Sequence, residues 1–186
     1  HGILARAAAQ TPDPVPGVLD LTVKEIVIAY DLLRHQVEPA TAEVWRAALA
    51  GFGAQATYVS ERQLAEGRSL NNYGASAATG EWLRCRARLA DERAWIDRIL
   101  RFEMPLFTDA GLYRDPGDPM LYDLMVRQNL SELVHYGYDG LWRDRIAELL
   151  RRAGLVTLRL LSPCGWAPFG GRSNSLLHNE AMAAYL

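Results

Sequence analysis

Segments with the hydrophobic spacing of an amphipathic helix follow one another along most of the 186-residue chain. Apolar residues recur at intervals of three and four, and proline, glycine or a capping residue marks many of the boundaries. A strand pattern is almost absent, so the sequence predicts an all-α fold. We expect helices at 21–36, from Pro39 to Gly51 or Gly53, and at 71–89, 91–107, 120–136, 141–161 and from Ser173 onwards, with a helix end at 1–10 and a short helical piece within 54–70.

Three details of these helices follow from local patterns. Thr22 followed by Glu25 has the spacing of a capping box at the start of the first helix. Phe102 falls in the apolar set of helix 91–107, together with Trp95, Ile96, Ile99 and Leu100. A glycine at position 154 predicts a break in helix 141–161.

Long loops rich in glycine, proline and arginine alternate with tight joints. Residues 11–17 form a proline-rich linker, and the loops at 109–119 and 162–172 carry many polar side chains. Antiparallel helical hairpins stacked side by side would place alternate loops on one rim. Polar groups from distant parts of the sequence would then meet on a common face.

Size and charge set limits on the class of protein. A chain of 186 residues can form one domain with a sizeable core, and we expect 1–186 to be a single helical domain. The net charge is only −2 and acids are interleaved with arginines, so we expect no nucleic-acid partner. No apolar run approaches the roughly 20 residues that span a membrane. We expect Cys85 and Cys164 to be buried thiols, with a disulfide as the alternative.

The most densely polar stretch is the sequence GWAPFGGRSNSLLHNE at 165–180. Its glycines and proline predict a loop, after which Ser173 or Asn174 caps a helix. Such a start suggests a site for a polar ligand, although a capped surface helix with solvated side chains would show the same pattern. The side chains brought together are those of Arg172, Asn174, His178, Asn179 and Glu180.

A second polar stretch, LNNYGASAATGE at 70–81, begins a helix. The amides of Asn71 and Asn72 and the phenol of Tyr73 lie where the positive end of the helix dipole can help to neutralise a carboxylate. The alternative is that one asparagine caps the helix and Tyr73 packs. Small residues that follow them let another helix or a ligand approach closely.

The third stretch, GLYRDPGDPMLYD at 111–123, holds Asp115, Asp118 and Asp123 beside Tyr113 and Arg114. Carboxylates this close can be driven to different pKa values, which gives the acid and the base of glycoside hydrolysis. Asp-Pro pairs also form ordinary turns, and calcium is a competing use whose usual spacing this loop does not match.

A fourth group, at the end of helix 120–136, comprises Arg127, His135, Tyr136, Tyr138 and Asp139. His135 and a tyrosine could act as base and acid in proton abstraction beside a carboxylate, or His135 could simply stabilise the helix C-terminus as a cation. The four histidines lie singly. Zinc spacing, a phosphate-binding loop, a dinucleotide motif and a nucleophile elbow are all missing, so we expect no metal and no cofactor.

Taken together, these stretches resemble the carbohydrate-active enzymes built as (α/α) toroids. That group includes the uronic-acid glycoside hydrolases and the polysaccharide lyases of the alginate-lyase and heparinase types. The resemblance covers about the last two thirds of the chain. It rests on NNYG at 71–74, GEWLR at 80–84, YRDPGDPMLYD at 113–123, GYDG at 137–140 and GGRSNSLLHNEA at 170–181.

The resemblance implies an (α/α)6-type toroid or a partial arc of one. In the lyases an Asn-Asn-His motif supplies the catalytic histidine, whereas this chain has Tyr73 at that position, which favours a hydrolase. A closed toroid of six hairpins needs about twice this length. We therefore expect the chain to be a segment of a longer protein.

The resulting hypothesis is hydrolysis of an acidic, uronic-acid-containing oligosaccharide or polysaccharide. Asp115 with Asp123 or Glu180 would be acid and base. The alternatives are β-elimination by Tyr73 or His135 and a helical-repeat module that binds without catalysis. Contacts to the saccharide would come from Asn71, Asn72, Tyr113, Arg114, Arg127, Tyr136, Trp166, Arg172, Asn174 and His178.

Overall fold

The computed structural model describes residues 18–51, 58–115, 120–164 and 181. Within these ranges the chain is all-α and has no strand, the nearest feature being a single antiparallel bridge between Phe107 and Tyr113. The helices are α1 (Val18–Leu33), α2 (Pro39–Ala50), α3 (Val59–Ala65), α4 (Tyr73–Arg86), α5 (Arg93–Glu103), a 3-10 turn at Met104–Leu106, α6 (Met120–His135) and α7 (Arg143–Leu160).

Helix α4 is the centre of the structure. Every residue from Gly74 to Arg84 is buried, because α1, α5 and α6 all pack against it. Its many small side chains make this close packing feasible. A Cβ atom on Gly80, for example, would overlap Val23 of α1.

Helices α1, α4 and α6 run in the same direction. Contacts between α4 and α6 advance along both helices in the same order. Asn72, just before α4, contacts Met125; the Thr79 hydroxyl donates a hydrogen bond to the carbonyl of Asn129; and the Trp82 indole donates one to the carbonyl of Tyr136, just after α6. In α1, Val23 lies against Gly80, and the later residue Val27 lines a groove with Leu83 and Arg86, which are later residues of α4. Helices α5 and α7 run back antiparallel to α4 and α6, as contacts between Gly74 and Glu103 and between Arg127 and Thr157 indicate.

Several boundaries differ from the sequence-based expectation. Helix α1 starts at Val18, so Thr22 lies inside it and is not a cap. Its residue Asp20 is instead fully buried and accepts hydrogen bonds from the backbone N–H groups of Val59 (3.0 Å) and Ser60 (3.4 Å), which caps α3. Helix α7 continues through Gly154, because Leu149 and Ala153 anchor it in the core on one side.

Two further expectations need correction. Phe102 is 48% exposed, while the fully buried Glu103 occupies the position on the inner face of α5. The spacing from Ile96 through Ile99 explains this, since position 103 lies two turns after position 96 and position 102 does not. Both cysteines are free thiols, but Cys85 is only partly buried and Cys164 is exposed.

Candidate functional site

The N-terminal ends of α4 and α6 lie at the same end of the structure, because the two helices are parallel. The segment at 107–115 crosses between them, so that side chains from two distant parts of the sequence meet. We call this end the N-terminal rim. It comprises Asn71, Asn72, Tyr73, Tyr113, Arg114 and Asp115.

A hydrogen bond joins the two halves of the rim. The backbone N–H of Asn72 donates to Oδ1 of Asp115 over 2.9 Å, and both residues are almost completely buried. This N–H belongs to the first turn of α4, where no carbonyl of the helix can accept it. Asp115 therefore holds the crossing segment against the positive end of the α4 dipole.

The two asparagines use their amides differently. Asn71 Oδ1 accepts the backbone N–H of Tyr73 at 3.2 Å, as a local cap of α4. Asn72 Nδ2 approaches the sulfur of Met125 at 3.5 Å, which is a weak contact. The side chains of Asn71 and Tyr73 are partly exposed and that of Arg114 is exposed, so these three reach solvent.

Asp123 and Arg127 are paired with each other on α6. Two guanidinium nitrogens of Arg127 donate to the Asp123 carboxylate at 2.7–3.2 Å, and the side chain of Arg127 is 1% exposed. Asp123 also accepts the backbone N–H of Tyr113 at 2.6 Å, and Arg127 donates to Thr157 at 2.9 Å. Both residues thus fix the crossing segment and α7 to α6, and neither offers a group to a ligand in this arrangement.

Sequence reasoning missed the carboxyl group that lies beneath the rim. Glu103 is fully buried, and neither of its oxygens has a hydrogen-bonding partner among the described residues. It fits against the first turn of α4 only because position 74 is glycine, as a Cβ there would overlap Oε1 of Glu103. Its helical spacing after Ile96 and Ile99 was the available signal.

Burial raises the pKa of Glu103 to about 8, and the negative charge of Asp115 acts in the same direction. The Tyr113 phenol lies next to Glu103, and its oxygen likewise has no hydrogen-bonding partner among the described residues. Burial also raises the pKa of Tyr113 itself, which packs edge-on against Phe107 with ring centroids 5.2 Å apart. At neutral pH Glu103 therefore holds a proton directly beneath the rim.

His135 and Tyr136 lie at the opposite end of α4. The backbone carbonyl of Tyr136 accepts a hydrogen bond from Trp82 Nε1 (3.0 Å), and Arg86 stacks over the Tyr136 ring. Because α4 spans 14 residues, this end is about 20 Å from the rim. The expectation that these two residues lie on a common face with Asn72 and Asp115 is therefore wrong.

The rest of the fourth sequence group is used in packing. Tyr138 is buried and donates its hydroxyl to Asp97, while Asp139 pairs with Arg93 at the surface (2.5 Å). Other expected site residues lie outside the described residues. These are Asp118, Trp166, Arg172, Asn174, His178, Asn179 and Glu180.

The chemistry available at the rim is that of carboxyl groups, amides and a guanidinium. Across the described ranges, no three histidine, cysteine, aspartate or glutamate side chains gather closely enough to hold a metal ion. Over the same ranges, none of the helices combines the length and the apolar character needed to cross a membrane. Comparisons of the chain with protein-family models, with curated proteins and with solved structures found no match.

Proposed function

We propose that the N-terminal rim is part of the active site of a glycoside hydrolase that acts on an acidic, uronic-acid-containing saccharide. The observation that carries this proposal is the hydrogen bond between Asn72 and Asp115. It brings the amides that begin α4 and the aspartate of the crossing segment to one place. Hydrolysis of a glycosidic bond needs carboxyl groups in two protonation states. Asp115 is one of them in this proposal, and the fully buried Glu103 is a neutral neighbour that does not contact the substrate.

Asp115 is the acid–base carboxylate in this proposal, and Glu180 remains its candidate partner. Asp123 takes a positioning role because its carboxylate is committed to Arg127 and to the backbone of Tyr113. Arg114 and Asn71 reach solvent at the rim and suit a uronate carboxylate, since guanidinium and amide N–H groups donate to it. Tyr73 would contact a sugar face.

We further propose that α1, α4 and α6 are inner helices of an (α/α) toroid or of an arc of one. Their common direction, and the antiparallel return of α5 and α7, are what that architecture requires. In such an arrangement every inner helix presents its N-terminus to the same rim. The combined dipoles favour an anionic substrate there.

The test replaces Asp115 by asparagine, which keeps an oxygen that can accept the Asn72 N–H and removes the negative charge. The matched control is D109N, because Asp109 is an exposed aspartate of the same crossing segment. Reducing-end release from oligouronates should fall about 100-fold or more in D115N and should be unchanged in D109N.

Retention of wild-type turnover by a folded D115N would overturn the assignment of Asp115. Binding of the same oligouronates without any cleavage by the wild type would favour a non-catalytic binding module. A product that carries a new carbon–carbon double bond would favour β-elimination.

A further inference from the structure

A groove opens at the end of α4 that lies away from the N-terminal rim. Its volume is about 550 Å³, which lies within the range of small-ligand sites. Its floor is apolar, and the rest of its lining includes Arg34, Arg86, Arg88 and Tyr136. The apolar floor consists of Val27, Ile28, Leu83 and Ala87.

Positive charge exceeds negative charge in this groove. Asp31 is the single acidic residue in its lining, and it pairs with Arg34 at 2.9 Å. Among the described residues, Arg86 and Arg88 form no ion pair. The Nε atom of Arg34 is buried and has no hydrogen-bonding partner within the described part of the chain.

These arginines are not needed to cap α4. The backbone N–H of Leu89 donates to the carbonyl of Arg84 at 2.9 Å, and that of Arg88 donates to Cys85 at 3.0 Å. This backbone pattern already satisfies two carbonyls of the last turn. The guanidinium donors of Arg86 and Arg88 are therefore available to a ligand.

The backbone at Arg88 carries a conformational cost. Its φ is 58°, and it is the one non-glycine residue with a positive φ in the part of the chain that the structure describes. Glycine usually occupies this position after a helix, because a residue with a Cβ atom is strained in the left-handed region. In this conformation Arg88 lines the groove.

We propose that this groove is a second saccharide subsite, which binds a carboxylate-bearing sugar residue. Arg86 and Arg88 would donate to the carboxylate, and the apolar floor with the Tyr136 ring would contact the carbon-bound hydrogens of the sugar. Arg86 already lies over that ring, with its guanidinium carbon 5.5 Å from the ring centroid. The choice of a uronate as the ligand rests on the proposed function.

Titration followed by NMR tests the subsite on the intact chain. A short oligoglucuronate is added to labelled protein, and the side-chain Nε–H signals of the arginines are followed. Signals of Arg86 and Arg88 should shift in a saturable manner. The double variant R86Q/R88Q lacks these two signals, so its affinity is read from the Nε–H signal of Arg34, which also lines the groove, and binding should be weaker by about tenfold or more. R101Q is the control, because Arg101 is an exposed arginine near the opposite end of the α4–α5 hairpin.

Three outcomes would overturn the subsite. The first is the absence of a shift at Arg86 and Arg88, and the second is an equal loss of affinity in R101Q. The third is an equally tight response to inorganic sulfate, which would make the groove a general anion site without a sugar contact. Cleavage of oligouronates with silent groove signals refutes the subsite alone, whereas groove binding without cleavage refutes the proposed hydrolase alone.

Discussion

Glu103 shows most clearly what a single residue contributes to this structure. A carboxyl group fully removed from water and without a hydrogen-bonding partner is costly to ionise, so it retains its proton to about pH 8. The site accommodates it through Gly74, whose missing side chain leaves room for the carboxyl oxygens. The residue thus places a neutral acid beneath Asp115.

Glu103 makes the stability of the folded chain depend on pH. Its pKa is near 4.5 when unfolded and about 8 when folded. The folded state therefore binds the proton more tightly than the unfolded state. The resulting contribution of Glu103 to the free energy of unfolding is complete below pH 4.5 and is lost as the pH rises to about 8. Each unit of pH in this window lowers the free energy of unfolding by about 1.4 kcal/mol.

We therefore expect E103Q to match the wild type at low pH and to exceed it in stability by a few kcal/mol above pH 8. Urea unfolding across the pH range measures this difference. E148Q is the control, because Glu148 is an acid on α7 whose pKa the hydrogen bond from Arg151 lowers. Parallel pH profiles of wild type and E103Q would contradict the assignment.

At this scale the sequence allowed only part of the site to be predicted. Asn71, Asn72 and Asp115 were identified, and the structure places them together. Glu103 was overlooked because an acid within an apolar helix face was counted as polar, although its spacing is that of a core position. The sequence predicts a catalytic role for Asp123 and a substrate-binding role for Arg127, because it does not show that the two side chains pair with each other.

Among the helices, α4 depends most on the size of its side chains. Val23 and the backbone of Lys24 lie so close to Gly80 that α1 and α4 nearly touch there. This approach brings Lys24 into position to pair with Glu132 of α6 at 2.6 Å. A stripe of small residues thus fixes the spacing of three parallel helices.

We expect G80A to destabilise the fold by about 1–3 kcal/mol, because the new methyl group would push α1 away from α4. This loss should exceed the gain of about 1 kcal/mol that alanine brings to a helix interior. The control is G154A in α7, where nothing lies within 4 Å of the new atom and only the gain should remain. Equal stability changes in the two variants, measured by urea unfolding, would refute the close contact.

Helix type was predictable and helix ends were less so. The periodic apolar spacing predicts the longer described helices, whereas α3 lies within 54–70, where only a short helical piece is expected. Pro39 marks the start of α2 correctly. The capping prediction for Thr22 is wrong because α1 begins four residues earlier, at Val18, and Asp20 of its first turn caps a different helix 39 positions away. Gly154 did not break α7 because the packing of Leu149 and Ala153 outweighs the low helix propensity of one glycine.

For the molecule as a whole, the direction of the helices decides which residues can act together. Parallel α4 and α6 gather Asn72 and Asp115 at one end and leave His135 and Tyr136 at the other. Polar residues that precede parallel helices therefore meet on one rim, as predicted. Polar residues that follow such a helix lie at the opposite end, so the prediction is wrong for them. The sequence marks a loop as polar but does not state at which end of the stack it lies.

The most direct test of the proposed hydrolase is cleavage of an oligouronate in water enriched in heavy oxygen. Mass spectrometry of the products should show one labelled oxygen for each bond cleaved by the intact chain, because hydrolysis adds water across the glycosidic bond. Absorbance from a new carbon–carbon double bond should not rise. Unlabelled, unsaturated products would contradict the account in favour of elimination, and no cleavage of any oligouronate would contradict it altogether.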